Sequence, residues 1–134
     1  MKRLFTAVLL AGLIGVGLSC GGDGLTMSGP GELKVRLISP NSGLDSAIVF
    51  TITGPAALTS AVAAPGLRLF QQPVGGTSTR FALIGQLNNG ATILTIGVQD
   101  LGALSQYSGS ITGVAVPSYA LRVLPGGYAL AVLR

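Results

Sequence analysis

From Glu32 to the C-terminus the chain is a succession of short stretches in which apolar and polar residues alternate one for one, each cut by glycine, proline or asparagine. A period of two places the apolar residues on one face of a β-strand, and no stretch sustains the 3.6-residue period of an amphipathic helix. The pattern therefore predicts an all-β fold. "ELKVRLIS" sets Leu33, Val35 and Leu37 against Glu32, Lys34 and Arg36, and "AIVFTITG" sets Ile48, Phe50 and Ile52 against Val49, Thr51 and Thr53. The second stretch is also rich in the β-branched and aromatic types that suit a pleated surface. "RFALIGQL", "ATILTIGV", "GSITGVAV", "YALRVL" and "YALAVL" continue the series. "NNG", Asn88–Gly90, between two of these stretches predicts a hairpin, because asparagine and glycine accept positive φ at least cost. "PGG" from Pro125 predicts another tight turn. The alternation predicts that Tyr119, Leu121 and Val123 face inward, as do Tyr128, Leu130 and Val132. The middle, "LTSAVAAPGLRLFQQPVGGTST", is broken by Pro65, Pro73 and Gly75-Gly76 and is expected to be irregular, with "LRLF" a short edge strand. "QDLGALSQYSG" is expected to be a loop holding a helical turn.

Seven or eight short strands within the 103 residues from Glu32 to Arg134 bury their apolar faces most simply as two antiparallel sheets packed face to face. The expected architecture is an antiparallel β-sandwich, with a partly closed β-barrel as the alternative. A domain of this length buries about two thirds of its unfolded surface and needs no disulfide.

The N-terminus has a different texture. Lys2 and Arg3 precede an uncharged apolar run of 15 residues, Leu4–Leu18, the length of a signal-peptide hydrophobic region and short for a membrane-spanning helix. The run ends at Ser19-Cys20, and Cys20 is the chain's only cysteine. It has no partner for a disulfide, and the chain has no histidine to share a metal with it. The stretch Val16-Gly17-Leu18-Ser19-Cys20, with its basic start and apolar run, resembles the lipobox of bacterial lipoproteins. In that family the cysteine thiol takes a diacylglycerol and the signal is cut so that the cysteine becomes the first residue. Gly17 departs from the pattern, since leucine is commonest three residues before the cysteine. A plain secretory signal cut near Ser19, an uncleaved anchor and a buried structural cysteine are the competing readings. Acylation of Cys20 has a clear physical effect: each buried methylene contributes about 0.8 kcal/mol, so two or three chains hold firmly where one holds marginally.

After Cys20, Gly21–Gly31 contains five glycines and one proline in 11 residues. Such a stretch reads as a flexible tether with a typical end-to-end distance of about 18 Å. The expected organisation is a signal helix over 1–19, the lipidated cysteine and tether over 20–31, and the β domain over 32–134. In lipoproteins an aspartate directly after the cysteine favours retention at the inner membrane; Gly21 stands there instead, which implies the outer membrane of a bacterial envelope.

Across the domain, "ELKVRLISPNSGLDSAIVFTITGP" and "VAVPSYALRVLPGGYALAVL" look like small bacterial lipoproteins whose single β domain is distantly similar to cohesin-type and immunoglobulin-like sandwiches. Cohesins bind protein partners through a sheet face and are not enzymes. The match rests on strand texture, so it carries over no individual residue.

Charge and side-chain chemistry narrow the function further. Beyond Cys20 the chain holds six cations, Lys34, Arg36, Arg68, Arg80, Arg122 and Arg134, against four acids, Asp23, Glu32, Asp45 and Asp100. That balance is too thin and scattered for nucleic acid. With no histidine, neither a Ser-His-Asp nor a Cys-His arrangement is possible. Asp45 and Asp100 are the carboxylates open to a paired acid-base or calcium role, set against a plainer role as turn residues bonded to nearby backbone. Arg68 and Arg80, which flank the irregular middle, suit an anionic sugar or headgroup, or else protect strand edges. Tyr107, Tyr119 and Tyr128 suit a carbohydrate platform, or else a core with hydroxyls at its rim. The candidate binding surface is therefore Arg68, Arg80, Tyr107 and Asp100. No cofactor or metal is expected. The sequence reads as a non-catalytic envelope lipoprotein, held to the membrane through Cys20, whose sandwich is a structural module or binds an unidentified protein or glycan. The alternative is a glycan-binding module or a hydrolase or lyase that uses Asp, Tyr and Arg without histidine.

Overall fold

The computed structural model describes residues 28–124 and 127–134. Cys20, the signal and most of the tether lie outside the described residues, as does the start of the turn predicted at Pro125. Among the described residues are eight strands: β1 (Gly31–Ile38), β2 (Asp45–Thr53), β3 (Ser60–Ala63), β4 (Arg68–Gly75), β5 (Ser78–Leu87), β6 (Thr92–Val98), β7 (Ser108–Ala115) and β8 (Ala129–Leu133). A short 3-10 helix, Leu101–Gln106, precedes β7. The strands form two four-stranded sheets, β3-β6-β1-β8 (sheet A) and β4-β5-β2-β7 (sheet B), and every pairing is antiparallel. The fold is a β-sandwich, as the alternation predicts, and not a closed barrel.

The inward faces are the ones that the alternation marks. Leu33, Val35 and Leu37 of β1, with Leu94, Ile96 and Val98 of β6, pack against Ile48, Phe50 and Ile52 of β2 and Phe81 and Leu83 of β5. Phe50 and Phe81 are cross-strand partners with ring centroids 5.5 Å apart and planes tilted by 32°. Each large apolar side chain fully removed from water contributes roughly 1.5–3 kcal/mol, so this layer is the main source of stability.

Four expectations need correction. The middle of the chain is regular: β3 pairs with β6, and β4 extends from Arg68 to Gly75, well past "LRLF". β4 tolerates Pro73 because it is an edge strand, where one missing N–H breaks no central ladder. Asn88–Gly90 turns the chain, with Gly90 at φ +80, but it makes no hairpin, because β5 belongs to sheet B and β6 to sheet A. The loop is tied to the β1–β2 turn instead: Ser39 N–H donates to Asn89 Oδ1 at 2.9 Å, and Asn89 N–H donates to Ser42 Oγ at 2.9 Å.

The other two corrections concern "YALRVL". It is no strand, and Tyr119, Leu121 and Val123 do not face inward: they are 64%, 79% and 93% exposed. Tyr119 N–H donates to Val116 O, Tyr119 takes φ +62, and Val116 N–H donates to Ala120 O. That is a three-residue turn with its last residue left-handed, a geometry that usually closes a hairpin. A hairpin does begin, with a single bridge between Ala115 and Leu121 and with Arg122 N–H on Val114 O. It stops there because the chain must leave sheet B and reach sheet A to begin β8. Tyr128, Leu130 and Val132 are partly buried against the core, in line with their alternation.

Candidate functional site

Two arrangements gather polar chemistry. The first is a buried carboxylate. Asp45 opens β2 and is 1% exposed. It accepts hydrogen bonds from Arg122 Nε, with which it forms an ion pair, and from the Tyr128 hydroxyl at 2.6 Å. Tyr128 in turn accepts from Asn41 Nδ2 at 2.8 Å. The carboxylate thus ties the β1–β2 turn, the crossover after β7 and the start of β8. Its hydrogen bond raises the Arg122 pKa above the usual value, against a smaller opposing effect of desolvation. Asp45 is therefore not bonded to nearby backbone as a turn residue would be; its partners lie about 80 residues away. A carboxylate with a donor on each oxygen and shut from solvent ties these segments together and presents no open face to a substrate.

Asp100 matches the turn role. It caps the 3-10 helix by accepting from Gly102 N–H at 2.9 Å, and it also accepts from Gly29 N–H at 3.1 Å. Leu101 N–H donates to Gly29 O at 2.8 Å, so the helix start clamps the chain just before β1. Asp45 meets Arg122 and Asp100 meets backbone, so the two aspartates are not a pair. Tyr107, at the other end of the helix, is buried, and its hydroxyl finds no partner among the described residues. Burial first, and the negative charge of Asp100 second, push its pKa above the usual value. Of the four predicted surface residues, Tyr107 and Asp100 therefore sit at the helix, away from the arginines.

Arg68 and Arg80 do share a surface, the outer face of sheet B. The strand registers set Phe70, Ala82, Val49 and Gly113 side by side across all four strands. At about 4.8 Å between strands, this apolar row runs roughly 14 Å. Leu121 extends it at the β7 edge, with Cδ2 4.0 Å from where a Cβ on Gly113 would sit. Gln72, Arg80, Thr51 and Ser110 form a parallel polar row, and Arg68 heads β4 on the other side with its guanidinium carbon 5.9 Å from the Phe70 ring centroid. Phe70 is 51% exposed. Between Phe70, Arg80 and Val49, over Ala82, lies an open depression of about 350 Å³. Among the described residues no acid faces this surface: Glu32 is on sheet A, Asp45 is buried and Asp100 caps the helix.

Phe70, Val49, Ala82 and Leu121 are absent from the surface expected from the sequence. Their signal is present in "RLFQQ", where Arg68, Phe70 and Gln72 alternate outward, but it becomes meaningful only once β4 is known to pair with β5. A scan of family models, of curated proteins and of solved structures finds no match to this chain.

Proposed function

We propose that this protein is a bacterial envelope lipoprotein, anchored through acyl chains on Cys20 and more suited to the outer than the inner membrane, whose β-sandwich binds a partner without catalysis. The reading of the anchor rests on the basic start, the apolar run and the Ser19-Cys20 junction. The reading of the domain rests on one observation: an outward apolar row crosses the outer face of sheet B, exposed at Phe70 and partly exposed at Ala82, Val49 and Gly113, flanked by Arg68 and Arg80 and faced by no acid among the described residues. Contiguous exposed apolar surface rimmed by polar groups is what interaction sites present. The depression beside Phe70 suits one apolar side chain of a protein partner. A glycan is the second reading, favoured by the row Gln72, Arg80, Thr51 and Ser110 beside an exposed ring.

Two measurements test the two halves separately. Mass spectrometry of the membrane fraction should find an N-terminal Cys20 carrying a diacylglycerol, and an unmodified, soluble Cys20 would refute the anchor. Capture from detergent-solubilised envelope should retain a stoichiometric partner that is lost on Phe70→Ala or Arg80→Ala, and capture indifferent to both changes would refute the binding face.

A further inference from the structure

The strands fix the spacing of the cations on the outer face of sheet B. Arg68 and Arg80 are both exposed, and neither forms an ion pair among the described residues, where the ion pair joins Arg122 to Asp45. The β4–β5 register is regular from Arg68 to Gln72. The row that holds Arg68, the apolar row of Phe70 and Ala82, and the row that holds Arg80 therefore follow one another at two-residue steps, about 6.8 Å apart. Along the strands the face runs from a cation, over an apolar depression, to a second cation.

We infer that this face takes an extended, acidic polypeptide segment, in which one apolar side chain fills the depression beside Phe70 and a carboxylate two residues to either side meets Arg68 and Arg80. The inference rests on the reading of this face as the binding surface and names the chemistry of its partner. Charge selects an acidic ligand: two unpaired guanidiniums with no acid facing them set a positive field over the depression, which attracts carboxylates and repels a basic segment. Shape selects a peptide over a glycan. Phe70 is the one aromatic ring that the strand registers place on this outer face, and the Arg68 guanidinium carbon already lies 5.9 Å from its centroid. A sugar would need open rings to stack on, whereas this ring is engaged in a cation–π contact that also holds Arg68 ready for a carboxylate. The depression, with Val49 and Ala82 beside Phe70, suits a branched apolar side chain. Same-face side chains of an extended peptide recur about every 6.8 Å, the interval of the three rows.

The buried core and the side chains packed on it lie within residues 33–132, so the chain from Ser28 to Arg134 serves for the test. Selection of a displayed library of random peptides on this domain should enrich sequences in which an apolar residue stands between two acids, each two positions away. A synthetic peptide of that consensus should shift the backbone NMR signals of β2, β4 and β5, and less so as salt rises. Arg80→Glu, at an exposed side chain, should leave Tm unchanged, weaken that peptide at least about tenfold, and restore binding when lysine replaces the acid that faces it. Arg68→Glu should do the same for the other acid. No enriched sequence, a neutral or basic consensus, or acidic peptides that bind both charge-reversed variants as well as the parent would overturn the inference. So would trigalacturonate or phosphatidylglycerol vesicles shifting these signals where the acidic peptide does not. If envelope capture still depends on Phe70 and Arg80 in that case, the binding face stands and only the identity of its partner falls.

Discussion

Tyr107→Phe should make the protein more stable, although it removes a polar group from a residue that the sequence places on a candidate binding surface. Tyr107 is 5% exposed and its hydroxyl is buried without a partner among the described residues. Taking a hydroxyl out of water without replacing its hydrogen bond costs about 1–3 kcal/mol, while the ring contributes its apolar burial in either residue. Phenylalanine keeps the ring and deletes the cost. The expected gain is about 1 kcal/mol, which for a domain of this size raises Tm by roughly 5 °C. The gain should also depend on pH. Burial and Asp100 raise the Tyr107 pKa in the folded state, so ionisation disfavours the fold. A group raised in this way contributes stability that is fully present below its unfolded pKa of about 10 and is lost as pH rises through the folded value. Denaturant titrations should therefore show the advantage of Tyr107→Phe constant near neutrality and widening above about pH 10. If the substitution instead destabilises the domain by more than about 0.5 kcal/mol, the hydroxyl is satisfied and the reasoning fails.

Two further outcomes follow from the same regions. Tyr128→Phe leaves the buried Asp45 carboxylate and Asn41 each short of a partner; it should cost about 1–3 kcal/mol in chemical denaturation and speed hydrogen exchange in Ala120–Leu124, and unchanged exchange there would show that the Tyr128 bond does not help to hold the crossover. Gly54→Ala places a Cβ 2.3 Å from the Tyr107 ring; it should lower stability by about 1–3 kcal/mol, read as a lower Tm, and an unchanged Tm would mean that the ring is free to move aside.

The candidate site was partly legible in the sequence. Arg68 and Arg80 were visible as cations in an uncharged stretch, and they do share the outer face of sheet B. Phe70 and Val49 were not, because an outward apolar residue looks like any other in a strand until its cross-strand neighbours are known. Asp45 read as a turn residue from its neighbours Asn41, Ser42 and Gly43, yet it bonds Arg122 and Tyr128. Nothing local announces partners that distant.

What the chain determined by itself is whatever depends on a residue and its near neighbours. The inward sets Leu33-Val35-Leu37 and Ile48-Phe50-Ile52 are buried as their alternation requires, since a period of two sorts side chains by face whatever the strand's partner. The 3-10 turn capped by Asp100 and the left-handed glycine at Gly90 are local in the same sense. Only the tertiary structure decided which sheet each strand joins. It sent Asn88–Gly90 across the sandwich instead of around a hairpin, and it gave "SAVA" and "RLFQQPVG" strand partners that their own propensities do not supply. It also drew "YALRVL" off β7 after one bridge. Tyr119, Leu121 and Val123 alternate as faithfully as the buried sets, but the chain has to reach sheet A within a few residues, and that demand outweighs their burial and leaves them in water.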